Sequence, residues 1–213
     1  MNCHGLIAFD LDGTLIDSLE GIHSSLEHAC GKVQLQAPSL AALRGHIGPP
    51  LRDYLPELLD LKHAQDQRIL QAVLEAFRSH HDSEGWRRFH LYDGVITLLE
   101  RLHAAGYGLH VVTQKPRPIA QAVLHQAKLA GYMDSLHAPE IGVCFNKYSS
   151  LNQLRQRQVA CHWYVGDTAG DQQAAKQARY CFAAATYGYG RTASAEVQLT
   201  CPLDLLQVLE RSA

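Results

Sequence analysis

Short apolar runs alternate along this chain with segments of helical period, and that alternation limits the fold more than any other feature. Leu6–Phe9 is an unbroken apolar tetrad, the pattern of a strand buried on both faces. Residues 108–113, 162–166 and 180–186 read the same way. Residues 136–141 are a weaker fifth candidate, because Pro139 has no N–H for a ladder. Between these runs lie amphipathic stretches. Val95, Leu98, Leu99, Leu102 and Ala105 form one helical face, and Gly106 follows as a stop. Pro116 and Pro118 open a second helix, where a missing N–H costs little. Residues 147–158, 171–179 and 203–211 read as three more. Strands alternating with helices imply a parallel sheet covered on both faces.

One region breaks the alternation. Residues 18–89 read as helical throughout, with stripes at Leu19, Ile22, Leu26, Ala29 and Cys30 and at Ile69, Ala72, Val73, Ala76 and Phe77. The expected fold class is therefore α/β: a Rossmann-like parallel core from residues 1–17 and 90–213, and a helical insertion, 18–89, after the first strand. Apolar residues at 46% and charged residues at 19% are ordinary for a globular chain and exclude a disordered one. Lys and Arg total 19 against 21 Asp and Glu. So near a balance supplies no basic field for nucleic acid or an anionic membrane. No run approaches the roughly 20 apolar residues of a membrane span. The first residues lack a basic stretch and their apolar run stops at Asp10, unlike a signal peptide. With six scattered cysteines and no CxxC pair, the expectation is reduced thiols in the cytoplasm.

The chemistry-bearing residues fall at the ends of the apolar runs. Asp10 and Asp12 end the first, and residues i and i+2 of a strand face one side, so two carboxylates should be held together there. Like charges so close require a cation or a shared proton. Gly166-Asp167-Thr168-Ala169-Gly170-Asp171 supplies a second acidic pair after another strand. Asp171 also suits a plainer task, capping the helix that begins there. Acids ending two strands can bind a hard divalent cation through oxygen, in the crevice at the strands' carboxyl ends. Thr113 ends the second strand, where a hydroxyl beside helix N–H groups can hold a phosphate. Lys147 begins a later helix.

In this order, DxDGT, Thr, Lys and GDxxxD, the chain resembles the haloacid dehalogenase-like (HAD) hydrolase superfamily over essentially its whole length. Gly48-Pro49-Pro50-Leu51 and Tyr187-Gly188-Tyr189-Gly190 look like its phosphoglycolate phosphatase-like branch. The resemblance implies that the insertion is a cap and that Mg²⁺ is the cofactor. It implies Asp10 as nucleophile, forming an aspartyl-phosphate, and Asp12 as general acid and then base. Thr113 would bond the phosphoryl oxygens, with Gln114 beside it in the phosphate loop, and Lys147 would offset charge. Asp167 would bind the metal with Asp10 and the Asp12 carbonyl, and Asp171 would support that site. Lys115-Pro116 offers another lysine, but it follows Thr113 by two residues, too early in the order, and Lys147 is preferred.

Arg44 and His46 lie on a Gly-flanked loop of the insertion, and Arg44 is the candidate there for touching an anionic substrate. His80 and His81 are adjacent, should point apart on a helix, and match no metal-binding spacing. Trp86, Phe89 and Tyr92 suit hinge packing. The expected activity is hydrolysis of a small phosphomonoester, by a monomer or homodimer. A 5'-nucleotidase, a pyrophosphatase or a sugar phosphomutase are alternatives on the same chemistry. A non-catalytic binding domain is a further one, disfavoured because every expected acid, hydroxyl and amine is in place.

Overall fold

In a computed structural model of the chain, residues 5–61, 63–156, 161–190, 192 and 195–212 are described. The first apolar tetrad is strand β1 (Leu6–Phe9), and it runs through the middle of a sheet. On one side lie β4 (Gly108–Val112) and then β5 (Ser135–His137); on the other lie β6 (His162–Gly166), β7 (Cys181–Ala185) and β8 (Val197–Leu199). Every pairing in this sheet is parallel. The chain leaves β1 for one side and later returns to build the other, so the strand order reverses beside β1. That reversal opens a crevice at the carboxyl ends of β1 and β6.

Period-two alternation decides which helix covers which face. Ile7 and Phe9 of β1 point into a cluster with Leu98, Leu99 and Leu102 of α5 (Val95–Ala104), Ile119 and Val123 of α6 (Arg117–Gln126), and Leu205 and Leu209 of α9 (Asp204–Ser212). Leu6 and Ala8 point the other way, onto Leu151 and Leu154 of α7 (Lys147–Arg155) and Ala174, Ala175 and Ala178 of α8 (Ala169–Ala178). Both faces are thus covered, as the continuous apolar runs require.

Residues 18–89 contain α1 (Leu19–Lys32), α2 (Leu40–Arg44), α3 (Leu51–Leu58) and α4 (Gln67–Ser83). Their apolar faces meet in a third cluster, which includes Ile22, Leu26, Leu43, Leu55 and Val73. One member comes from elsewhere in the chain: Tyr189, 6% exposed, in the loop after β7. The chain enters this region through β2 (Ile16–Asp17) and leaves through β3 (His90–Leu91), and the two stems pair antiparallel. Trp86, Phe89 and Tyr92 pack beside that return, against the main core.

The structure departs from the sequence reading in several places. Strand β5 starts one residue early and stops before Pro139, the position at which a ladder donor is missing. Residues 18–89 are not helical throughout, since irregular chain joins α1 to α2 and α2 to α3. Strand β8 and the β2–β3 ribbon are two or three residues long, too short to show a period. Residues 157 and 158 of the expected helix at 147–158 lie outside the described residues. His80 and His81 do not diverge fully: each places Nδ1 3.2 Å from the Ser25 hydroxyl of α1. His81 is also stacked on Phe77 of the same helix. Among the described residues, no helix is long and apolar enough to cross a membrane.

Candidate active site

Asp10 follows the last residue of β1 and still belongs to its ladder, donating its N–H to the Val165 carbonyl of β6. The chain then turns. Gly13 takes φ +81°, and a Cβ there would stand 2.2 Å from Asp167 Oδ2, so only glycine lets this turn lie against that carboxylate. Asp167 follows the last residue of β6. Thr168 next caps α8: its hydroxyl accepts the Asp171 N–H, while the Asp171 carboxylate accepts from Thr168 N and Oγ1. Lys147 is the first residue of α7.

These three segments bring Asp10, Asp167 and Asp171 together. Each offers a carboxylate oxygen within 4.8 Å of the others, and all three are buried. Lys147 Nζ stands between two of them, 3.0 Å from Asp10 Oδ2 and 2.7 Å from Asp171 Oδ1. Asp171 is fully engaged, because Tyr164 Oη also donates to its Oδ1 at 2.8 Å and Thr168 occupies its Oδ2. Asp10 Oδ1 and Asp167 Oδ1 are different. Both are buried, and among the described residues neither has a hydrogen-bond partner. Asp167 Oδ2 accepts from the N–H groups of Tyr189 (2.9 Å) and Gly190 (3.1 Å).

One ammonium among three carboxylates leaves negative charge uncompensated, and the acids titrate accordingly. Burial pushes Asp10 up, and Asp171 and Asp167 add to it against Lys147. Burial and the Asp171 charge push Asp167 up to about 6, against the two N–H bonds from residues 189 and 190. Burial would raise Asp171 too, but Lys147, Thr168 and Tyr164 hold it below the usual carboxylate range. Burial alone would lower the Lys147 ammonium; Asp10 and Asp171 outweigh it and raise it. Two orphaned oxygens on acids that converge within 4.8 Å suit a hard divalent cation.

Asp12 does not join that cluster. The strand ends at Phe9, so the i, i+2 rule no longer applies at residue 12. Its carboxyl meets Lys115 Nζ at 2.9 and 3.2 Å and the Ser18 hydroxyl at 2.6 Å. Burial opposes ionisation there, and Lys115 and Ser18 overcome it, holding Asp12 below the usual range. Thr113 is buried and accepts the Lys115 N–H through its hydroxyl. Among the described residues, Gln114 donates to the Phe145 carbonyl, at 3.4 Å. Arg44 donates to the Gly188 carbonyl at 3.0 Å, and its guanidinium lies 5.4 Å from the centre of the Tyr189 ring.

Sequence order points to Lys147, and Lys147 is the lysine that reaches Asp10. It also sets Lys115 aside, and the structure puts Lys115 on the other acid of the DxD pair. The available signal for Lys115 was its place two residues beyond Thr113, at a helix start facing the same crevice. Tyr164 offered a signal as well, since it lies within an apolar strand run and its hydroxyl must find a partner. Tyr189 offered none, because its partners are distant in sequence or made through main chain; Ser18 lies six residues from Asp12, with the turn and the short β2 stem between them and no periodicity to join the two.

Comparison with known proteins follows the same lines. Residues 7–185 match the haloacid dehalogenase-like hydrolase family. The tyrosine-protein kinase PtkA of Mycobacterium tuberculosis is 31% identical over 194 residues, 87% of this chain; the chain spans 63% of the length of that relative. A phosphoglycolate phosphatase of Vibrio cholerae is 30% identical over 195 residues, covering 86% of this chain and 85% of its own. Among solved structures, a haloacid dehalogenase-like family hydrolase of Streptococcus pneumoniae superposes with a TM-score of 0.84 at 26% identity, over 97% of this chain and 98% of that one.

Proposed function

The chain belongs to the haloacid dehalogenase-like hydrolase family, and from that premise we propose that it is a Mg²⁺-dependent phosphatase hydrolysing a small phosphomonoester through an aspartyl-phosphate. The observation that carries the reading is the pair of orphaned buried oxygens, Asp10 Oδ1 and Asp167 Oδ1, beside Lys147 at the crevice of the sheet. Asp10, Asp167 and the main-chain carbonyl of Asp12 would hold the ion, and Asp171, whose oxygens are already taken, would orient Lys147 and Thr168 around it. When bound, Mg²⁺ supplies positive charge opposite the phosphoryl oxygens.

The residues divide the reaction between them. A carboxylate oxygen of Asp10 attacks phosphorus, and the bond from phosphorus to the alcohol oxygen breaks. Asp12 gives that oxygen a proton. Asp12 then takes a proton from water as the water attacks phosphorus, and Asp10 leaves as a carboxylate. The Lys115 pair suits the base half of this cycle. The acid half needs that pair to open, which a phosphoryl oxygen competing for Lys115 would bring about. Thr113 and Lys147 place donors around the transferring group, where phosphoryl transfer gains most of its rate.

Residues 18–89 would serve as a cap over a core made of 1–17 and 90–213, with substrate choice set by the cap and a cytoplasmic site of action. Phosphate release from a panel of phosphomonoesters, nucleotides, sugar phosphates and pyrophosphate tests the reading. We expect turnover of at least one small monoester with Mg²⁺, a loss of at least about a hundredfold with chelator, and recovery on adding Mg²⁺. Full turnover in metal-stripped protein would refute the metal role. Faster turnover of a nucleoside monophosphate or of pyrophosphate would move the assignment to those activities. Isomerisation of a sugar phosphate without phosphate release would make it a mutase.

A further inference from the structure

We infer that Tyr189 is a positioning residue that couples the seating of the helical insertion to the orientation of Asp167; the inference rests on the reading of Asp167 as part of the reactive centre. Tyr189 is tied in two directions. Its main chain faces the acids: its N–H and that of Gly190 donate to Asp167 Oδ2 at 2.9 and 3.1 Å. Its side chain faces the insertion. The ring lies in the apolar cluster with Ile22, Leu26 and Leu43, and Arg44 stacks over it.

The hydroxyl makes the second tie. It accepts the N–H of Ser18 at 2.5 Å and of Leu19 at 3.1 Å, and donates to Asp17 Oδ1 at 2.8 Å. That uses both acceptor positions and the one donor of a phenol. Residues 17–19 are where the chain passes from the β2 stem into α1. The first N–H groups of a helix have no partner within it, and the Ser18 side chain makes no capping bond here. The Leu19 N–H is shared with Asp17 Oδ1 at 3.0 Å, whereas the Ser18 N–H rests on the Tyr189 phenol, which thus takes the part of a cap.

The loop has little slack between its two ties. A Cβ on Gly188 would stand 2.2 Å from the Gly13 carbonyl oxygen and 2.6 Å from Asp167 Cβ, so the main chain is pressed against both acid-bearing loops. Tyr187 adds an anchor through its hydroxyl on the Thr14 carbonyl, at 2.9 Å. Displacing the stem at 17–19 must either break the hydroxyl bonds or draw residues 189 and 190 away from Asp167. A coupling of this kind is reciprocal: whatever steadies Asp167 steadies the stem.

Tyr189→Phe separates the ties, because it removes the hydroxyl and keeps the ring and both N–H groups. The experiment is amide hydrogen exchange on the full chain, wild type and variant, without metal and then with saturating Mg²⁺. Without metal we expect the Ser18 amide to exchange about tenfold faster in the variant, the equivalent of about one to two lost hydrogen bonds, and the Leu19 amide, which keeps Asp17 Oδ1 as acceptor, to accelerate less. The amides of residues 189 and 190 should accelerate with them. In wild type, Mg²⁺ should slow exchange at Ser18 and Leu19 as well as at 189 and 190; in the variant it should slow only the latter pair. Faster exchange at Ser18 and Leu19 with unchanged exchange at 189 and 190 would overturn the inference and leave the hydroxyl as a simple helix cap. An absence of any Mg²⁺ effect in wild type would count against the metal reading, while the metal-free comparison still decides the coupling.

Discussion

Asp10→Asn stops turnover, by a factor of at least about 10⁴, in a protein that remains folded. The amide is nearly isosteric with the carboxylate but is no nucleophile, so the route through an aspartyl-phosphate closes. Stability should not suffer. Asp10 is 2% exposed, burial and the two neighbouring carboxylates oppose its charge, and its Oδ1 has no hydrogen-bond partner among the described residues. Removing one of three crowded negative charges should leave unfolding free energy unchanged or slightly higher. Phosphate release and urea unfolding, measured on the same preparation, check both halves. Activity within tenfold of wild type would take the nucleophile role from Asp10.

Lys147→Met has the larger structural effect. The ammonium bridges Asp10 and Asp171 at 3.0 and 2.7 Å, all three buried. A methionine fills similar volume and leaves both carboxylates without it. Breaking a buried pair by removing one partner costs about 3–5 kcal/mol, because a charge stays behind uncompensated. The loss should be seen in urea without metal, and it should shrink when Asp10→Asn is added, since the orphaned charge then disappears. A loss under about 1 kcal/mol, in the range of an exposed pair, would mean that the cluster is far better solvated than its geometry shows.

Much of this site was legible because its parts follow from strand ends. An apolar run too short for a helix, stopped by an acid, places that acid at the carboxyl end of a buried strand. Asp10 and Asp167 are found that way, and β1 and β6 are neighbours in the sheet. A cap by Asp was legible here, whereas the capping residue is Thr168 and Asp171 answers it from the first turn; the cap is inseparable from the acid cluster, since Asp171 serves Thr168 and Lys147 at once.

What was not legible depends on contacts that no local period encodes. Asp12 turned from Asp10 because the strand stops at Phe9, and strand ends are set by hydrogen bonding as much as by sequence. Its partner, Lys115, is 103 residues away. The β2–β3 stems carry too few residues to show alternation. Tyr189 reads as one aromatic in a glycine-rich loop, whereas its place in the insertion's core depends on how two distant segments pack. Arg44 was singled out as a cation for substrate, and it lies on the Tyr189 ring and the Gly188 carbonyl.

The central claim is that phosphorus visits Asp10 between alcohol and water. The stereochemical course at phosphorus decides it, using a phosphorothioate monoester made chiral with two oxygen isotopes and hydrolysed in water of the third, so that the thiophosphate released is itself chiral. Two successive in-line displacements, first by Asp10 and then by water, give net retention. Net inversion would show a single displacement by water, and would contradict the aspartyl-phosphate on which this account stands.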